Sequence, residues 1–170
     1  MRYLKQLHDR VTHTSNRQTW MTPLWLLDLV EQLGPIALDP CASDDASFHF
    51  AVLNFPRAIN GLVQHWDRGG LVFVNHEYGR EIPAWVEKCR IEAALGVEIV
   101  QLCPARPGAN WYMDAKANAD AMCELNGRVL FDEHWCQNAA PFPSALFYYG
   151  PRPYLFMHVF DARGEVRRLL

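Results

Sequence analysis

Three stretches of this chain are apolar without alternation: "PIALDP" (35–40), "GGLVFVN" (69–75) and "VEIVQLCPA" (97–105). A strand with one face in water alternates apolar and polar residues, whereas a strand covered on both faces does not. Segments with helical spacing separate these runs. "TPLWLLDLVEQLG" (22–34) has Thr22 in the N-cap place, Pro23 at the first helical position and Gly34 past the end. "REIPAWVEKCRIEAALG" (80–96) is amphipathic and closed by Gly96, and "NWYMDAKANADAMCELNG" (110–127) reads as a helix ending in Asn-Gly. "RVLFDE" (128–133), "SALFYYG" (144–150) and "YLFMHVFD" (154–161) read as strands, the last two antiparallel. This order predicts an α/β fold with a mainly parallel central sheet, helices on both faces and antiparallel C-terminal strands. Residues 1–19 are polar and read as a flexible arm, and 20–170 as a single domain.

Half of the 170 residues are hydrophobic, enough for one core. The net charge of −3 gives no general attraction to nucleic acid, so any DNA contact needs a local basic surface. The candidates are the arm (Arg2, Lys5, Arg10, Arg17) and the C-terminal "RGEVRRLL"; either is equally a solvated terminus. The five cysteines form no CxxC pair and the seven histidines no HxxxH or HExxH spacing, so neither a disulfide frame nor a metal site is expected. No apolar run reaches membrane-spanning length and the first residues are too polar for a signal peptide. The expectation is a soluble cytoplasmic protein.

In open parallel sheets, ligands bind beyond the carboxyl ends of the strands. Three polar clusters fall there: "DPCAS" (39–43), "NHEYGR" (75–80) and "PARPGANW" (104–111). Asp39 either accepts hydrogen bonds from a ligand or ends the strand in a turn, since Asp and Pro are common turn residues. Asn75 can accept from an exocyclic amine and Tyr78 can stack on a base; alternatively Asn75 makes the turn and Tyr78 is core. Arg106 can reach a phosphate or sit in a solvated loop. Trp20, just before a helix cap, is the tryptophan placed near a ligand; the other five read as packing residues.

Taken in order, these segments resemble the phage-type DNA N6-adenine methyltransferase (Dam) family. "WMTP" (20–23) resembles its opening W-x-T-P, and "LDPCAS" (38–43) its strand-end cofactor motif. "NGLVQHW" (60–66) is similar to the segment before the catalytic strand. "VFVNHEYGREIPAWVEKC" (72–89) is similar to a strand, N-P-P-Y-G-R and a W-V-x-K helix. "VQLCPAR" (100–106) with Trp111, "NGRVLF" (126–131) and "APFPSAL" (140–146) resemble its later segments. The resemblance implies a Rossmann-like methyltransferase fold using S-adenosylmethionine to methylate a flipped adenine in double-stranded DNA, in a bacteriophage and bacterial-host setting. Trp20, Thr22, Pro23, Asp39, Pro40, Cys41 and Asn60 would line the cofactor pocket. Asn75, His76, Glu77 and Tyr78 would form the catalytic loop, and Arg80, Arg106 and Trp111 would meet the substrate.

The chain departs from the family where two prolines give way to His76 and Glu77. Proline fixes φ, so the loop loses rigidity. The backbone carbonyl that the resemblance implies would accept from the adenine amine is still present at His76. Glu77 adds an anion that either stabilises the developing charge on the amine or repels DNA phosphate. The alternative reading is a methyltransferase-like pseudoenzyme that binds DNA or a host defence protein.

Overall fold

The structure, a computed structural model, describes residues 21–131 and 142–170. Trp20, the basic arm, Trp135 and Cys136 lie outside the described residues. The chain runs α1 (Leu24–Val30), β1 (Ile36–Asp39), β2 (Leu53–Asn54), β3 (Leu71–Val74), α2 (Ile82–Ala94) and β4 (Ile99–Pro104). It continues with α3 (Asn110–Asn118), β5 (Ala121–Leu125), β6 (Ser144–Tyr149), α4 (Pro153–Phe160) and β7 (Gly164–Arg168).

The strands form one open sheet in the order β2-β1-β3-β4-β6-β5-β7. β2, β1, β3 and β4 are parallel; β6 runs antiparallel between β4 and β5, and β7 is antiparallel to β5. The expected parallel centre and antiparallel C-terminal part are both present. β3, β4 and β6 are buried along their whole length, which is why they carry no alternation.

Helices cover both faces. On one, Leu26 and Val30 of α1 and Phe156 and Phe160 of α4 pack with Phe73, Val100, Leu102 and Leu146. On the other, Trp85, Val86 and Cys89 of α2 and Tyr112 and Ala115 of α3 pack with Val72, Val74, Cys103 and Phe147. Glu92, on α2, is buried, yet its carboxyl is held below the usual range. Burial opposes this, but Lys88, the Trp66 N–H and His65 outweigh it. That cluster fixes α2 to the loop entering β3.

Four segments differ from the sequence reading. The helix expected over 110–127 stops at Asn118, and residues 121–125 form β5. Ala, Met, Glu and Leu suit a helix, but pairing with β6 and β7 on both sides overrides that preference. The strand expected at 154–161 is α4: Pro153 takes its first position, Phe156 and Phe160 are buried, and Tyr154 and His158 are exposed. A short continuous apolar run does not separate strand from helix. Residues 128–131 form no strand, and the C-terminal basic stretch is an edge strand instead. There Arg167 pairs with Glu165 and Glu124, and Arg168 lies over Tyr154.

Candidate functional site

β1, β3 and β4 are parallel, so "DPCAS", "NHEYGR" and "PARPGANW" emerge at one edge of the sheet. Asp39 ends β1 and is buried. The Cys41 N–H donates to its Oδ1 at 3.0 Å and the Cys41 thiol at 3.4 Å. Burial outweighs these bonds and raises the carboxyl to about 6. In turn the Asn75 backbone N–H points to the Cys41 sulfur, joining the end of β1 to the end of β3.

Asn54 lies across from Asp39 in the β1–β2 pair. Its amide nitrogen donates to the Ala51 carbonyl at 2.8 Å. Its Oδ1 is buried and has no partner among the described residues. A buried acceptor beside a buried carboxyl fits a ligand that offers hydroxyl or amine hydrogens. The sequence reading missed Asn54; its place at a strand end in "LNFP" was the available signal.

Asn60 and Gly61 close the same corner. Asn60 has φ +51° and joins two 3-10 turns. A Cβ on Gly61 would sit 1.9 Å from the Pro40 carbonyl oxygen, so only glycine allows this approach. The Gly61 carbonyl accepts from the Trp66 indole N–H at 2.8 Å.

Thr22 does not cap α1. Pro23 stands at the cap with extended backbone, and no side chain bonds there. Instead the Thr22 hydroxyl accepts from the Asn75 amide nitrogen at 2.9 Å. That bond orients the Asn75 amide, and its Oδ1 meets the Tyr78 hydroxyl at 3.3 Å. Tyr78 is half-buried, with Phe131 and Phe142 edge-on to its ring.

The two residues between them face opposite ways. His76 is 1% exposed, stacked 5.8 Å from the Trp85 ring and edge-on to Tyr78. Burial lowers it to about 3, so it is neutral at ordinary pH. Its Nδ1 lies 3.0 Å from the Glu77 carbonyl and its Nε2 3.4 Å from the Gln101 amide nitrogen. Glu77 is exposed, and its carboxylate pairs with Arg57. Sequence reasoning missed Arg57 and Gln101. A glutamine inside the apolar run "IVQLC" was a signal for the latter, since a polar group covered on both faces needs partners.

Arg80 and Arg106 are exposed at the same edge. Trp111 is half-buried, and its ring meets Tyr112 edge-on at 5.7 Å. Among the described residues no helix is long and apolar enough to cross a membrane.

A family model described as DNA N-6-adenine-methyltransferase (Dam) matches residues 9–144, well over half of the chain. No curated protein and no solved structure matches.

Proposed function

The chain belongs to the Dam family of DNA N-6-adenine methyltransferases, and from that premise we propose that it is an active enzyme that methylates the N6 amine of an adenine held out of the duplex. The observation that carries this reading is the orientation of Asn75. Thr22 takes its amide hydrogen, so its oxygen is left facing Tyr78 as an acceptor.

The cofactor of this reading is S-adenosylmethionine, which supplies an electrophilic methyl group when bound. The Asp39 carboxylate and the Asn54 oxygen supply acceptors for its hydroxyl or amine hydrogens, in a corner shaped by Pro40, Cys41 and Gly61. Pro23, Asn60 and the half-buried Cys41 lie around the same corner in this proposal.

On the substrate side, the adenine amine replaces the Tyr78 hydroxyl at the Asn75 oxygen. Asn75 then accepts one amine hydrogen, and the His76 carbonyl accepts the other. These two bonds fix the direction of the nitrogen lone pair. They also stabilise the positive charge that grows on the nitrogen, and they require little reorganisation because both acceptors are already held. The Tyr78 ring packs against the base face. An adenine must leave the stack to reach such a loop, and the flanking duplex is held by phosphate contacts, for which Arg80 and Arg106 are exposed candidates.

Calorimetry with S-adenosylmethionine tests the cofactor corner. One saturable site, lost in Asp39→Ala, is the expected result; no binding to folded protein would sink the enzyme reading. Methyl transfer to mixed-sequence DNA should fall at least a hundredfold in Asn75→Ala with cofactor binding retained, in line with the loss of one preorganised acceptor.

A further inference from the structure

Behind the Asn75 loop lies a buried chain of polar groups. The Tyr149 hydroxyl donates to Gln101 Oε1 at 3.4 Å, the Gln101 amide nitrogen lies 3.4 Å from His76 Nε2, and His76 Nδ1 lies 3.0 Å from the Glu77 carbonyl oxygen. Gln101 and His76 are 0% and 1% exposed, and Tyr149 is 1% exposed.

Only one set of hydrogens satisfies this chain. A carbonyl oxygen accepts and cannot donate, so the proton sits on His76 Nδ1. A neutral ring then has a bare lone pair on Nε2, which needs a donor, and the Gln101 amide supplies it. The same amide leaves Oε1 to accept from Tyr149. Turning the amide over would set Oε1 against the His76 lone pair and leave the Tyr149 hydroxyl hydrogen without Gln101 as its acceptor. The two bonds that Gln101 makes are long. Burial enforces their order, because a stretched hydrogen bond costs less than an unpaired group shut away from water.

The bond from His76 Nδ1 to the Glu77 carbonyl closes a ring through the backbone. Inside that ring lie ψ of His76 and both φ and ψ of Glu77. A proline at position 77 would fix only φ there. The ring thus sets the direction of the His76 carbonyl, and the chain to Gln101 and Tyr149 ties it to the middle of β4 and the last residue of β6. Trp85 of α2 holds the imidazole from its face.

We propose that Gln101 and Tyr149 are positioning residues that keep His76 in its neutral Nδ1–H form, and that His76 thereby holds the Asn75 loop in its working geometry. This rests on the function proposed above. Misplacing a reacting group by about 1 Å can lower a rate about a hundredfold, so a loosened loop should reduce turnover rather than cofactor affinity.

The test combines imidazole nitrogen NMR with single-turnover methyl transfer to DNA. At pH 7 the wild-type His76 should show a protonated Nδ1 and a bare Nε2. Gln101→Glu keeps the size of the side chain but sets an acceptor against Nε2; it should bring a proton onto that nitrogen. The rate should fall about tenfold, with the S-adenosylmethionine Kd unchanged. In a His76→Pro/Glu77→Pro background, where covalent geometry replaces the hydrogen-bonded ring, the same Gln101→Glu change should cost less than twofold. A wild-type Nε2–H tautomer would overturn the proposal. So would an equal rate loss in both backgrounds, which would mark Gln101 as an ordinary core residue. The tautomer reading needs no activity: if wild-type protein transfers no methyl group, the proposed function fails while NMR still decides whether the chain of bonds exists.

Discussion

At the end of β1, burial lifts the Asp39 carboxyl to about 6 although Cys41 donates to it. The sign of the linkage follows. Below about 3.8 the group is neutral folded or unfolded, and burying it carries no charge penalty. From about 3.8 up to about 6 the unfolded chain gives up this proton while the folded state holds it, so stability falls over that range and is lower by roughly 3 kcal/mol at pH 7, at about 1.4 kcal/mol per unit. Asp39→Asn keeps an acceptor for the Cys41 N–H and removes that charge. The variant should melt several degrees higher at pH 7 in a thermal scan and bind no S-adenosylmethionine. In wild-type protein, affinity for the cofactor should rise with pH up to about 6 and level off above it, since only the ionised carboxyl is a full acceptor. Titration calorimetry between pH 5 and 8 measures this, and a flat profile would remove Asp39 from the binding corner. Asp39, Asn75 and Tyr78 were legible because each stands at the polar end of an apolar run. Thr22 was legible as a polar residue before a helix but not as the partner of Asn75. A bond spanning 53 residues of sequence leaves no local pattern.

Between elements, the corner depends on how closely two loops approach. Gly61 lies against the Pro40 backbone, where an added methyl would meet the carbonyl oxygen at 1.9 Å and the carbonyl carbon at 2.8 Å. Backbone cannot move aside as a flexible side chain can. Gly61→Ala should therefore destabilise the fold by about 1–3 kcal/mol, the usual range for overpacking, and weaken cofactor binding by pushing the loop of Asn60 from Asp39. Gly108→Ala is the control: a Cβ there meets nothing within 4 Å, and both melting temperature and affinity should stay within error. Denaturant unfolding of the two variants separates the cases, and equal behaviour would show that the approach does not matter. Elements were legible in the sequence to different depths for a related reason. β1, β3 and β4 were plain, because double-sided burial writes itself as an apolar run. β5 and α4 were misread, because the first is decided by strands distant in sequence and the second by which of its faces meets the sheet.

Across the whole molecule, a net charge of −3 opposes DNA, so affinity must come from where the cations stand. Arg80, Arg106, Arg128 and Arg163 all follow or precede strands at the edge that carries Asn75, and all four are exposed. Arg163 lies over Trp25 at 5.0 Å, and the two line a shallow depression together with Arg128. Arg152 belongs to the opposite edge, where it forms two hydrogen bonds with Glu98. If the Asn75 edge faces DNA, binding should weaken steeply with salt, by about 0.9 in the logarithmic slope for each phosphate contact. Replacing Arg106 or Arg128 by Ala should lower that slope by about one and weaken binding to all sequences alike. Arg152→Ala should leave the slope unchanged. Fluorescence anisotropy with a labelled duplex, from about 50 to 200 mM salt, gives all the slopes. A slope lost with Arg152 and kept with Arg106 and Arg128 would place DNA on the wrong edge for Asn75, and the methyltransferase reading of that edge would fall with it.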